Sequence, residues 1–192
     1  MAEAEVDEVR ESLEKYVGQP IGAPTVAAPD PVNLPMMRHW VDALDDRNPV
    51  YLDDEAARAA GFEGAVAPPA MLQVWGMPRP RIEGIAERGG TPDEITSDNP
   101  IVALDQAGYI GNRATNSELE FLRYLRPGEQ LHCDNEVESI SNRKTTALGQ
   151  GYFVTWITNY RTDDGELVGR QLFRVFKFDP STIDLSKLGV QK

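Results

Sequence analysis

Three long β-forming runs, Gln130 to Ile140, Thr145 to Tyr160 and Leu167 to Phe178, follow one another with little chain between them. Ser141-Asn142-Arg143 separates the first two, and Thr162-Asp163-Asp164-Gly165, a hairpin signal, separates the last two. Parallel neighbours need a crossover of about a dozen residues or more, so connections this short impose antiparallel pairing. Upstream, Leu119, Phe121 and Tyr124 nearly alternate, and Arg126-Pro127-Gly128-Glu129 reads as a turn. The C-terminal half is therefore expected to be an antiparallel meander of three or four strands.

Before Tyr109 the chain reads as helices and irregular segments. Val6, Val9, Leu13, Tyr16 and Val17 fall at helical spacing, and Gly18 and Pro20 stop that helix. Ile21 to Pro35, with Pro24, Pro29 and Pro31, is an extended connector or edge strand. Met36 to Leu44 places Met37, Trp40, Val41 and Leu44 on one side of a helix, and Asp45 to Pro49 makes a turn. Asp53 caps a short helix over Asp54 to Ala60 that ends on Gly61. Ala70 to Met77 is apolar on nearly every side (Met71, Leu72, Val74, Trp75, Met77), as a helix enclosed by a sheet would be. Pro78 to Pro100 sustains no period and is expected to be a long irregular insertion. The class is α+β, with an antiparallel sheet wrapped around a central apolar helix. Its organisation reads as an N-terminal helix and Pro-rich connector over 1–35, a domain over 36–180 with the insertion at 78–100, and a polar tail over 181–192.

Charge and composition narrow the functions. A formal net charge of -12 disfavours nucleic acid and anionic membranes as partners, although a local basic patch for ligand phosphates remains compatible with it. The single cysteine, Cys133, rules out an internal disulfide framework. With only His39 and His132 besides, little is left for a metal cluster, and no cofactor is expected. No apolar run approaches the ~20 residues of a membrane helix. The start of the chain is acidic rather than signal-like, and a cytoplasmic location is expected.

Chemistry gathers in one stretch. Asp46-Arg47-Asn48-Pro49-Val50-Tyr51-Leu52-Asp53 leads into Ala56-Ala57-Arg58-Ala59-Ala60-Gly61-Phe62, and then Val66-Ala67-Pro68-Pro69-Ala70-Met71-Leu72. This order resembles the MaoC-like, or R-specific, enoyl-CoA hydratases of the hot-dog fold. Their pattern is Asp-x-Asn-Pro-x-His, an Ala-rich helix, and a loop into the central helix. Hydration of a 2-enoyl thioester needs a base for water, an acid for the α-carbon and donors for the enolate oxygen. A carboxylate and an imidazole on one tight turn hold a single water between them, and the asparagine and proline fix that turn.

This sequence departs from the pattern at the reacting groups. Asp46 stands at the carboxylate position, but Tyr51 occupies the histidine position, and a phenol with a pKa of about 10 is a poor base at neutral pH. The oxyanion glycine aligns with Pro69, which has no N–H, or with Ala70, which has one. The resemblance is therefore to the larger, noncatalytic subunit of heteromeric steroid (cholesterol side-chain) enoyl-CoA hydratases of actinobacteria. It implies a small catalytic hot-dog partner carrying the Asp–His pair, in a heterodimer or heterotetramer. It also implies a bulky enoyl-CoA substrate and, in longer forms, a second domain related to acyl-CoA enzymes.

No catalytic residue is then expected on this chain. Substrate-binding roles fall to Asp46, Asn48, Tyr51, Pro69, Ala70, Met71 and Trp75. Asp46 also reads as an ordinary turn residue, Tyr51 as a half-buried core tyrosine, and Met71 and Trp75 as core residues. Arg123 and Arg126 read either as contacts to CoA phosphates or as solvated charges. The alternative functions are an acyl-CoA-binding or scaffolding hot-dog module and a hot-dog thioesterase using Asp46.

Overall fold

The computed structural model describes residues 7–77, 82–84, 86 and 98–184. The segments 1–6 and 185–192 and most of the expected insertion, with its Arg79, Arg81 and Arg88, lie outside the described residues. The chain opens with α1 (Glu8–Leu13), whose N-terminus is capped by the Asp7 side chain accepting from the Arg10 N–H. A 3-10 turn, Glu14–Tyr16, continues it. The Pro-rich connector contributes β1 (Val26–Ala27), an edge strand as its prolines require.

Next comes α2 (Leu34–Leu44), begun by Asn33, whose side chain accepts from the Met36 N–H, with Pro35 in its first turn. It ends at Asp45 in the left-handed region, φ 51°. α3 (Asp54–Ala59) is capped by the Asp53 carboxylate on the N–H groups of Glu55 and Ala56. The expected helix over Ala70 to Met77 is shorter than its apolar pattern suggests. A 3-10 turn, Pro69–Met71, runs into α4 (Leu72–Trp75), which ends at Gly76. Pro78 follows and disfavours helical geometry at Met77, which is 57% exposed instead of buried. α5 (Pro100–Gln106) was not anticipated; Asn99 caps it, accepting from the N–H groups of Ile101 and Val102.

The strands are β2 (Gly111–Phe121), β3 (Leu131–Ile140), β4 (Lys144–Thr146), β5 (Gly149–Thr162) and β6 (Leu167–Asp179). All pairs are antiparallel, in the order β1-β3-β5-β6-β2, with β4 paired to the start of β5. The run expected from Thr145 to Tyr160 is thus split by a tight turn, because Gly149 takes a positive φ of 110°. Register shifts at Val137/Ser139, Ala114/Asn116 and Tyr160/Arg161 mark bulges, which bend strands. At Gly151 a Cβ would sit 2.0 Å from the Lys177 carbonyl oxygen, so only glycine lets β5 and β6 approach there.

One face of the sheet carries the core, in two parts. At one end Met37 of α2 and Met71, Leu72 and Trp75 pack on Leu131, Cys133, Tyr160 and Val168. Each such large apolar side chain contributes about 1.5–3 kcal/mol on burial. At the other end Leu13, Tyr16 and Leu104 pack on Val137, Ile140, Tyr152, Val154 and Val175. The buried Lys177 ammonium is neutralised by Asp105, which ties α5 to β6. Between the two packed ends the inner face of the sheet is left partly open.

Candidate functional site

The turn that carries the sequence motif is built from its own side chains. Asp46 accepts the Asn48 N–H at 3.0 Å, and Asn48 accepts the Val50 N–H at 3.3 Å. Pro49–Tyr51 then forms a 3-10 turn that aims the Tyr51 ring inward, against Val41 and Val66. Burial raises the Tyr51 phenol above its ordinary pKa; the Asn48 side chain opposes that shift, and the charge of Asp46 adds to it. Asp46 and Asn48 are exposed, so the turn faces solvent while Tyr51 faces the core. The Tyr51 phenol is therefore no base near neutrality.

Pro69 and Ala70 sit at the entry to α4, Ala70 exposed, whereas Met71 and Trp75 are buried in the first core cluster. The two histidines lie apart from them. His39 is exposed on α2, and His132 engages Asp163 at 2.7 Å on the outer face of the sheet. Arg123 is held by Glu129 and Glu166, both at 2.7 Å, and these carboxylates raise its pKa. Arg126 is paired with Glu63. Both arginines are thus already neutralised by carboxylates of this chain.

The open part of the inner face holds two cavities. One, of 360 Å³, lies beyond the end of α4 and is walled by Gln73, Gly76 and Met77 above and by Cys133, Thr158, Tyr160, Gln171 and Phe173 on the sheet side. The other, of 420 Å³, lies towards α5. They meet at Asn135 and Trp156, which line both. Their sizes are in the range of small-molecule sites, about 300–1,000 Å³. Among the described residues no histidine, aspartate or glutamate lines either one. Cys133 does, but burial pushes its thiol up to about 11, leaving it protonated and a poor nucleophile. Of the seven residues named from the sequence, none belongs to these walls.

The floor of the trough was missed in the sequence, although a signal for it was there. Apart from Thr162 near one end and the Asp105-paired Lys177 near the other, the polar inward positions of β3, β5 and β6 are Asn135, Thr158 and Gln171, which face one another across the sheet. Asn135 pairs with Thr158, and Thr158 with Gln171. A polar residue at an inward position of three neighbouring strands marks either a buried network or a wet site. Here it is both. Gln171 accepts the Tyr160 hydroxyl at 3.0 Å and donates to Ser117 at 2.9 Å, and Thr158 donates to Asn135 at 2.6 Å.

An antiparallel sheet curled over a short apolar helix, with ligand-sized space between them, defines a hot-dog domain. The chain belongs to the FAS1-like dehydratase domain region family, whose model matches residues 19–171. It is 44% identical over 91% of its length to a probable enoyl-CoA hydratase alpha subunit of Thermomonospora curvata, and covers 53% of that protein. It is 42% identical over 92% of its length to the 3-oxo-4,17-pregnadiene-20-carboxyl-CoA hydratase alpha subunit of Mycobacterium tuberculosis, and covers 54% of it. The chain thus spans about half the length of the curated relatives it matches. Among solved structures, a chain of the ChsH1-ChsH2 complex from Mycobacterium tuberculosis superposes with a TM-score of 0.72 at 41% identity, with 90% of each chain covered.

Proposed function

We propose that this chain is the pocket-forming, noncatalytic subunit of a heteromeric enoyl-CoA hydratase. It would take the acyl group of a bulky 2-enoyl-CoA, while a small hot-dog partner supplies the Asp–His pair that moves the protons. The observation that carries this reading is the trough: ligand-sized, floored by the sheet, and lined by no carboxylate or imidazole among the described residues. Tyr51 agrees with it, since its ring is spent on packing and its phenol is held neutral. The relatives named alpha subunits, and the match to a chain from a two-component complex, support a second subunit. One relative's name carries a pregnadiene-carboxyl-CoA, which favours a ring-bearing acyl group here.

The partner's docking edge is β2. Its residues are all exposed or half-buried, and among the described residues nothing pairs with its outer side. An unpaired strand of this length is a ready template for a second sheet. No described helix is long and apolar enough to cross a membrane.

The test is reconstitution. Purified alone, the chain should hydrate neither crotonyl-CoA nor a ring-bearing 2-enoyl-CoA; with its partner, hydration of the latter should appear. Robust hydration by the isolated chain would defeat the proposal. A scaffolding role predicts a different outcome, in which the partner retains full activity on the bulky substrate when this chain is withheld.

A further inference from the structure

Asn135 stands where the two cavities meet, and only half of its amide is engaged. Its Oδ1 accepts the Thr158 hydroxyl at 2.6 Å, while its Nδ2 donates to no protein group among the described residues. The neighbouring amide is different. Gln171 uses both ends of its side chain, on Tyr160 and Ser117, and is locked in place. Beside this polar row the floor is aromatic, with Trp156 and Phe173 5.1 Å apart between ring centroids and tilted by 48°. A molecule in the trough therefore meets carbon on the aromatic side and one amide with two free N–H bonds at the junction.

That asymmetry discriminates between ligands. A saturated chain or unsubstituted ring laid over Asn135 strips water from its donors and returns nothing, and leaving a donor unsatisfied costs more than a made hydrogen bond gains. An acceptor oxygen at the same place restores the bond. We propose that Asn135 is a specificity-determining residue for a ring-bearing acyl group carrying an acceptor oxygen, a ketone or a hydroxyl. It would donate through Nδ2 to that oxygen, with Thr158 positioning the amide. The inference rests on the trough being the acyl site of the proposed hydratase.

The experiment uses the complex of this chain with its catalytic partner and two 2-enoyl-CoAs of one fused-ring skeleton. One carries a ring ketone and the other a methylene at the same carbon, the pair being made for each ring position in turn. The wild-type complex should favour the ketone by about tenfold in kcat/KM. Asn135→Asp keeps the size but turns the donors into an acceptor, and should bring the ratio to one or below. Thr158→Val, which frees the amide to rotate, should lower the ratio severalfold without abolishing it. Equal rates on the two substrates, or a ratio unmoved by Asn135→Asp, would overturn the assignment while leaving the hydratase reading intact. Failure of the complex to hydrate either substrate would instead count against the hydratase reading. The saturated acyl-CoA pair, compared by calorimetric binding to the same proteins, then decides Asn135 independently of turnover: a ketone preference lost in Asn135→Asp supports it, and equal affinities refute it.

Discussion

Tyr51 stands at the motif position where the resemblance implies a histidine. The turn that presents it is intact, with Asp46 and Asn48 each accepting a backbone N–H two residues further on. The Tyr51 ring packs on Val41 and Val66, and its phenol stays protonated because burial disfavours the charge. Tyr51→Phe keeps the packing and removes only the hydroxyl. In the reconstituted complex it should leave kcat on a bulky 2-enoyl-CoA within about twofold and stability within about 1 kcal/mol, as measured by steady-state assay and urea unfolding. A loss of a hundredfold or more would place Tyr51 among the reacting groups and contradict the noncatalytic assignment. This residue was legible in the sequence because a motif with fixed spacing exposes any departure from it. Asn135, Thr158 and Gln171 were not, since each lies on a different strand and they become neighbours only once the register is known.

At the level of the elements, the trough exists because α4 is one turn long and sits tightly on the sheet. Two glycines allow that approach. A Cβ on Gly169 would fall 2.5 Å from Leu72 Cδ2, and one on Gly76 would fall 2.6 Å from Cys133 Sγ and 3.1 Å from the Tyr160 ring. The apolar run from Ala70 to Met77 announced a buried helix correctly in kind. It overstated the length, because hydrophobic periodicity carries no mark for where a proline ends the turn ahead of it. The antiparallel run β3-β5-β6 was legible from turn signals, whereas the place of β2 beside β6, outside a simple meander, was not; α5 was hidden because Pro100 reads as the end of a loop and not as the first residue after an asparagine cap. Gly76→Ala should cost about 1–3 kcal/mol by pushing α4 away from β3. Removing the obstacle should restore most of it: in a Cys133→Ala background the same substitution should cost well under 1 kcal/mol. A double-mutant cycle by denaturant unfolding measures this coupling, and strictly additive effects would show that α4 does not rest on Cys133 as described.

For the molecule as a whole, the two edges of the sheet differ in length, β1 with two residues and β2 with eleven. β1 lies beside β3, whereas among the described residues the outer side of β2 carries no strand, and its residues Gly111–Phe121 are exposed or half-buried throughout. Exposed apolar side chains stand at both ends of it, Ile110 at 65% and Leu122 at 50%. The strand itself is polar, with Asn112, Arg113, Asn116, Glu118 and Glu120, which discourages indiscriminate pairing and leaves specificity to complementary charge. A net charge of -12 adds long-range repulsion between copies of the chain and so favours a less acidic partner over self-association. Apolar anchors surrounded by polar rim are where binding energy concentrates in interfaces. Replacing both anchors, Ile110→Lys with Leu122→Lys, should therefore leave the melting temperature of the isolated chain within a few degrees, because neither side chain belongs to a core cluster. The same variant should weaken association with the catalytic subunit at least tenfold in sedimentation or calorimetry, and lower hydration in proportion to the complex lost. If the double variant still assembles with unchanged affinity, the partner binds elsewhere and β2 is not its edge.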